Sequence, residues 1–93
     1  MAAQDELAAL LGRTAEAHHQ AYIATDGVDP NWTAWYARYL LDNGFGEIVP
    51  AARISVDDLA RLLVEADRQH RSQAPEAPWE PYYAERLLAR AAG

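Results

Sequence analysis

The stretch Trp32-Thr33-Ala34-Trp35-Tyr36-Ala37-Arg38-Tyr39-Leu40-Leu41 holds four of the nine aromatic residues of a 93-residue chain. Its pattern, W-x-x-[WY]-Y-A-x-x-L-L, returns 47 residues later at Trp79-Glu80-Pro81-Tyr82-Tyr83-Ala84-Glu85-Arg86-Leu87-Leu88. Two segments with apolar residues at helical spacing and the same aromatic face predict two equivalent helices, and the remaining chain is read from them.

Upstream of each aromatic stretch a second match appears. Asp5-Glu6-Leu7-Ala8-Ala9-Leu10-Leu11 aligns with Asp57-Asp58-Leu59-Ala60-Arg61-Leu62-Leu63 at a shift of 52, which places His18 on His70. The five-residue difference between the two shifts falls in the loop between helices, which is longer in the first half. Abundant alanine and leucine explain the L-A-x-L-L part by chance alone, but not the coincidence of tryptophan, tyrosine and histidine. The expected architecture is all-α: a four-helix bundle made of two similar helical hairpins about a pseudo-two-fold axis, arising by internal duplication. One domain then spans 1–93, with hairpin one at about 4–43, a connector at 44–54 and hairpin two at about 55–92.

Local signals set the boundaries. The first helix runs from Gln4 to about Thr25 on a stripe of Leu7, Leu10, Leu11, Thr14, His18, Ala21 and Tyr22, with Asp5 and Glu6 at the positive end of its dipole. Asp26-Gly27 ends it, glycine supplying the left-handed cap. Asp29-Pro30 reads as an N-cap followed by proline at the first helical position. The second helix then runs to Asn43-Gly44, with Trp32, Trp35, Tyr36, Tyr39 and Leu40 turned inward. Pro50 keeps the apolar connector Gly46 to Ile54 from being helical throughout, leaving room for a short extended piece, and Ile48, Val49 and Ile54 tuck under the helices. Ser55 caps a third helix on Leu59, Leu62, Leu63, Ala66 and His70 to about Arg71. Pro78 opens a fourth, to about Ala91, in which Pro81 is tolerable because first-turn amides lack helical partners.

The segment His18-His19-Gln20-Ala21-Tyr22 through Asp29-Pro30-Asn31-Trp32 to Tyr39-Leu40-Leu41 resembles stretches of small uncharacterised bacterial helical proteins. The resemblance covers about a quarter of the chain. It implies a shared helical fold and brings no activity, ligand or partner with it.

Composition narrows the function classes. The net charge of -6 is built without lysine, all eight cations being arginine beside twenty alanines, as codon usage in a GC-rich bacterial genome produces. Up to residue 52 there are seven acids against two arginines, and beyond it seven against six. Neither half offers the basic footprint that a nucleic acid needs. Without cysteine there is no disulfide, thiolate nucleophile or sulfur-rich zinc site. The start Met1-Ala2-Ala3-Gln4-Asp5-Glu6 lacks a signal-peptide pattern and no run approaches a membrane span, so a soluble, cytoplasmic protein is expected. A chain of this length buries only about 60 to 65% of its unfolded surface, and a surplus of aromatic surface makes a homodimer the expected way to complete the core.

Candidate chemistry centres on histidine and aromatic rings. His18 and His70 occupy equivalent places on their stripes and could approach one another near the bundle axis, with His19 on the flank. Imidazoles plus a carboxylate suit zinc, nickel or copper. Yet H-x-x-x-H and H-E-x-x-H are absent, as is E-x-x-H repeated on paired helices. Core histidines bonded to tyrosine, carboxylate or carbonyl are the simpler reading, and no cofactor is named. Thr25 to Asp29 is too short for a calcium loop. Only two serines and no glycine-rich turn leave no basis for a hydrolase triad or phosphate loop. Arg38, Arg86 and Arg90 read as solvated or paired across helices. Trp32, Trp35, Tyr36, Tyr39, Trp79, Tyr82 and Tyr83 can fill a core, line a pocket or build an interface. The leading expectation is binding without catalysis, to a second copy, a protein partner or a small apolar ligand, through the aromatic helix faces. The alternative is a metal- or histidine-dependent enzyme or sensor on His18, His19 and His70 with Tyr36 or Tyr83 in support.

Overall fold

In the computed structural model, which describes residues 2–26, 28–49 and 53–91, every regular element is helical and no strand occurs among the described residues. An alanine-rich run free of proline forms α1, Ala2–Ala21. The chain then tightens into a 3-10 turn, Ile23–Thr25, so the first helix is shorter than its periodicity suggests. Asp26 supplies the left-handed residue, at φ 57°, and its amide bonds the Ile23 carbonyl at 3.2 Å. An aspartate tolerates this conformation better than most non-glycine residues. The expected role of Gly27 lies outside the described residues.

The aromatic stretch forms α2, Trp32–Asp42, two residues later than the Asp-Pro signal predicts. Asn31 stands before it without a side-chain cap bond. The Asp29 carboxylate instead accepts from the Asn31 amide at 3.0 Å and reaches back to α1, so the expected capping position becomes a pre-helical turn. Gly44, at φ 114°, makes the sharp exit that a side chain would strain, and the connector continues as a single helical turn, α3, Phe45–Ile48. No strand forms among the described residues of the connector, and Pro50 lies outside them.

Ser55 caps α4, Val56–Gln73, its hydroxyl accepting the Asp58 amide at 3.1 Å as the S-x-x-D pattern predicts. The last helix, α5, spans Trp79–Ala91. The strongest packing pairs α1 with α5 and α2 with α4, while α4 also lies along α5 and α1 along α2. One cluster of buried side chains joins them: Leu7, Leu10 and Leu11 from α1, Leu40 from α2, Phe45 from α3, Leu59 and Leu63 from α4, and Leu87 from α5. Ile48 and Ile54 pack against this cluster and Val49 is buried in it, whereas Ala21, read as part of the α1 stripe, is exposed. Thr14 is fully buried and satisfies its hydroxyl by donating to the Leu10 carbonyl at 2.7 Å.

Among the described residues no helix is long and apolar enough to cross a membrane.

Candidate functional site

Helical spacing sets the aromatic residues in position. On α2, Trp32 and Tyr36 are one turn apart and meet edge to face, centroids 5.0 Å apart at 81°. On α5, Trp79 and Tyr83 do the same at 5.1 Å and 77°. Both arrangements suit the ring quadrupoles. The two pairs converge on one cleft of about 190 Å³ that opens to solvent and is lined by Trp32, Tyr36, Trp79 and Tyr83. The tryptophans are half-buried, and neither indole N–H has a hydrogen-bond acceptor among the described residues.

Behind each pair stands a histidine. His18, 7% exposed, meets Trp35 at 5.1 Å and Tyr36 at 5.4 Å and stacks on Tyr22 at 4.7 Å. His70 meets Tyr82 at 5.2 Å and Tyr83 at 6.1 Å. The partners of their Nε2 atoms differ: the Asp29 carboxylate at 3.1 Å for His18, and the Ala77 carbonyl at 2.6 Å for His70. Both acceptors lack a proton to give, so each histidine donates from Nε2. Each ring is thus engaged inside its own helix pair. His19 is exposed at the end of α1, apart from the cleft lining. Among the described residues, no three His, Asp, Glu or Cys side chains gather as a metal site would require.

The cleft walls differ in polarity. Tyr83 is buried, and its hydroxyl donates to Asp67 at 2.7 Å. Burial first, then the Asp67 bond and charge, push its ionisation far above the ordinary tyrosine value. Asp67 has Ala15 at the matching place in α1. Tyr36 has no such partner among the described residues, and burial alone raises it. Burial also opposes the charge on Asp29. The His18 bond and the Asn31 amide outweigh that effect and hold its carboxyl below the usual range.

Sequence reasoning named Trp32, Tyr36, Trp79 and Tyr83 among its aromatic candidates; these four line one cleft, and Trp35 does not line it. It missed Asp67, whose only signal is its place one helical turn before His70 and Arg71. It also missed the tertiary use of Asp29. Comparison with protein-family models, with curated proteins and with solved structures finds no match.

Proposed function

We propose that this chain is a protein-recognition module whose aromatic cleft takes one apolar side chain of a partner protein. The observation that supports this reading is the convergence of four large rings, two from each helix pair, on a single solvent-open cleft. Rings already locked by edge-to-face contacts lose little freedom on binding, and Trp and Tyr are the residues that dominate recognition hot spots. The indole N–H groups of Trp32 and Trp79, which have no acceptor among the described residues, can offer a partner carbonyl a hydrogen bond.

Size favours a side chain over a free small molecule. A volume of about 190 Å³ falls below the roughly 300 to 1,000 Å³ of ordinary ligand pockets. A second copy is the competing occupant, since across a two-fold axis an exposed Ile23, Val28 or Val64 of each copy could enter the other's cleft. Homodimerisation is therefore the second reading, and the oligomeric state separates the two. A metal or histidine enzyme on His18, His19 and His70 ranks lower again, because among the described residues no three His, Asp, Glu or Cys side chains gather around them.

The two helix pairs also support a four-helix bundle by duplication. Exchanging α1 with α4 and α2 with α5 turns the α1–α5 packing into the α4–α2 packing and each Trp–Tyr pair into the other.

Selection of displayed peptides against the whole chain tests the reading. Enriched sequences should share an apolar or aromatic anchor and lose binding in Trp32→Ala and Trp79→Ala, with melting temperature checked alongside. Selected binders that ignore both substitutions would sink it. Sedimentation equilibrium gives the oligomeric state, and a dimer abolished by Trp79→Ala would shift the assignment to self-association.

A further inference from the structure

A second cavity, of about 440 Å³, lies along α2 and is lined by Tyr22, Asp29, Trp35, Arg38, Tyr39 and Asp42 among others. Its volume lies within the range of ordinary ligand sites, roughly 300 to 1,000 Å³. We propose that this cavity binds an organic cation, a substituted ammonium or guanidinium group carried on apolar carbon.

Three aromatic residues border it. Trp35 and Tyr39 stack at 5.5 Å and 12°, and Tyr22 is braced by its stack on His18 at 4.7 Å. Such ring faces attract a cation through their quadrupoles. Two carboxylates, Asp29 and Asp42, share the lining, and the half of the chain that builds the cavity has seven acids against two arginines. Asp29 is held in ionised form by its bonds to His18 and the Asn31 amide. Asp42 has no ion-pair partner among the described residues, although Arg38 stands one turn away, while Arg61, Arg71 and Arg90 all have one.

The second helix pair supplies an internal comparison. There the residues matching Trp35 and Tyr39 are Tyr82 and Arg86, and the Arg86 guanidinium lies 4.9 Å from the Tyr82 ring centre while bonding its hydroxyl at 3.0 Å. The chain thus places its own cation on the α5 aromatic face. On α2 the equivalent position holds a second ring, and the cation is left to come from outside. Arg38 opposes this charge, but its side chain is exposed and free to turn into water.

Titration of the whole chain with butyltrimethylammonium and butylguanidinium tests the proposal, with butyrate and 1-butanol as controls. Calorimetry and the Trp35 indole N–H resonance serve as readouts. Both cations should saturate at about 1 mM or below, and the controls should not. Asp42→Asn should weaken binding about three- to tenfold and Tyr39→Leu by a similar factor, whereas Arg38→Gln should tighten it. Thermal melts confirm that each variant folds. A capped arginine-bearing peptide forms a further arm: if it alone binds, with the same dependence on Asp42 and Tyr39, the cation belongs to a protein partner. Saturable butyrate binding, weakening by Arg38→Gln, or silence from every probe overturns the proposal.

Discussion

Nε2 of His18 lies 3.1 Å from Oδ2 of Asp29, with both side chains about 8% exposed, and this one contact ties the loop before α2 to the end of α1. Asp29 Oδ1 meanwhile accepts the Asn31 amide, so a single carboxylate sets the entry to the aromatic helix. Replacement by alanine should lower the melting temperature and speed amide exchange at Asn31 and Trp32, with Asp29→Asn intermediate. The pH dependence has a definite sign. Because the folded carboxyl is held below its ordinary value of 3.8, its stabilisation is complete above that value and is lost as pH falls through the lower folded one. Melts from about pH 6 to about pH 2 should therefore show the wild type converging on Asp29→Asn. A constant gap across that range would refute the stabilisation by an ionised Asp29 carboxylate.

The hydroxyl of Tyr83 gives the second contrast. It bonds Asp67 at 2.7 Å in a buried setting, while the matching Tyr36 has no partner among the described residues. Tyr83→Phe should cost about 1 to 2 kcal/mol, since it also leaves a carboxylate short of a donor. Tyr36→Phe should be close to neutral. A group whose folded ionisation lies above its unfolded one stabilises below the unfolded value and loses that contribution as pH rises through the folded value. Wild-type stability should accordingly drop as pH climbs past the ordinary tyrosine value of 10.0, and Tyr83→Phe should drop less. Chemical denaturation on either side of that pH measures both.

Which features the sequence disclosed follows from the range of the forces involved. The Trp32–Tyr36 and Trp79–Tyr83 pairs were legible because i and i+4 neighbours on a helix must meet, whatever else packs around them. Ser55 was legible because capping is a local bond. Asp29 was misread for the same reason: Asp-Pro is a local cap signal, but His18, eleven residues back, outbids the helix for the carboxylate. The cavity beside α2 depends on how the loop from Tyr22 to Asn31 closes against the helix, which no periodicity encodes. Asp67 needed knowledge of which face of α4 meets α5.

Phe45 is the core residue that pattern reasoning passed over, because it stands alone in a connector with no stripe around it. It is fully buried, while Ile48 of the same turn is only partly so. Phe45→Ala should cost about 3 to 5 kcal/mol, the range for deleting a buried aromatic side chain. Ile48→Ala should cost clearly less. Urea denaturation of the two variants distinguishes a connector that is part of the core from one that merely spans it, and equal small losses would mean that Phe45 does not anchor α3.

Ser55 and Asn31 precede α4 and α2, and both belong to the residue types favoured at N-caps, yet only Ser55 makes a cap bond. Ser55→Ala removes the acceptor of the Asp58 amide and should destabilise by about 1 kcal/mol. Asn31→Ala removes no cap bond, and the amide of residue 31 still donates to Asp29, so its effect should stay within about 0.5 kcal/mol. If Asn31→Ala instead costs as much as Ser55→Ala, its side chain caps α2 in solution and Asp29 is free of that duty. In that case Asp29→Ala should also cease to accelerate exchange at Trp32, so the two measurements together decide what starts the aromatic helix.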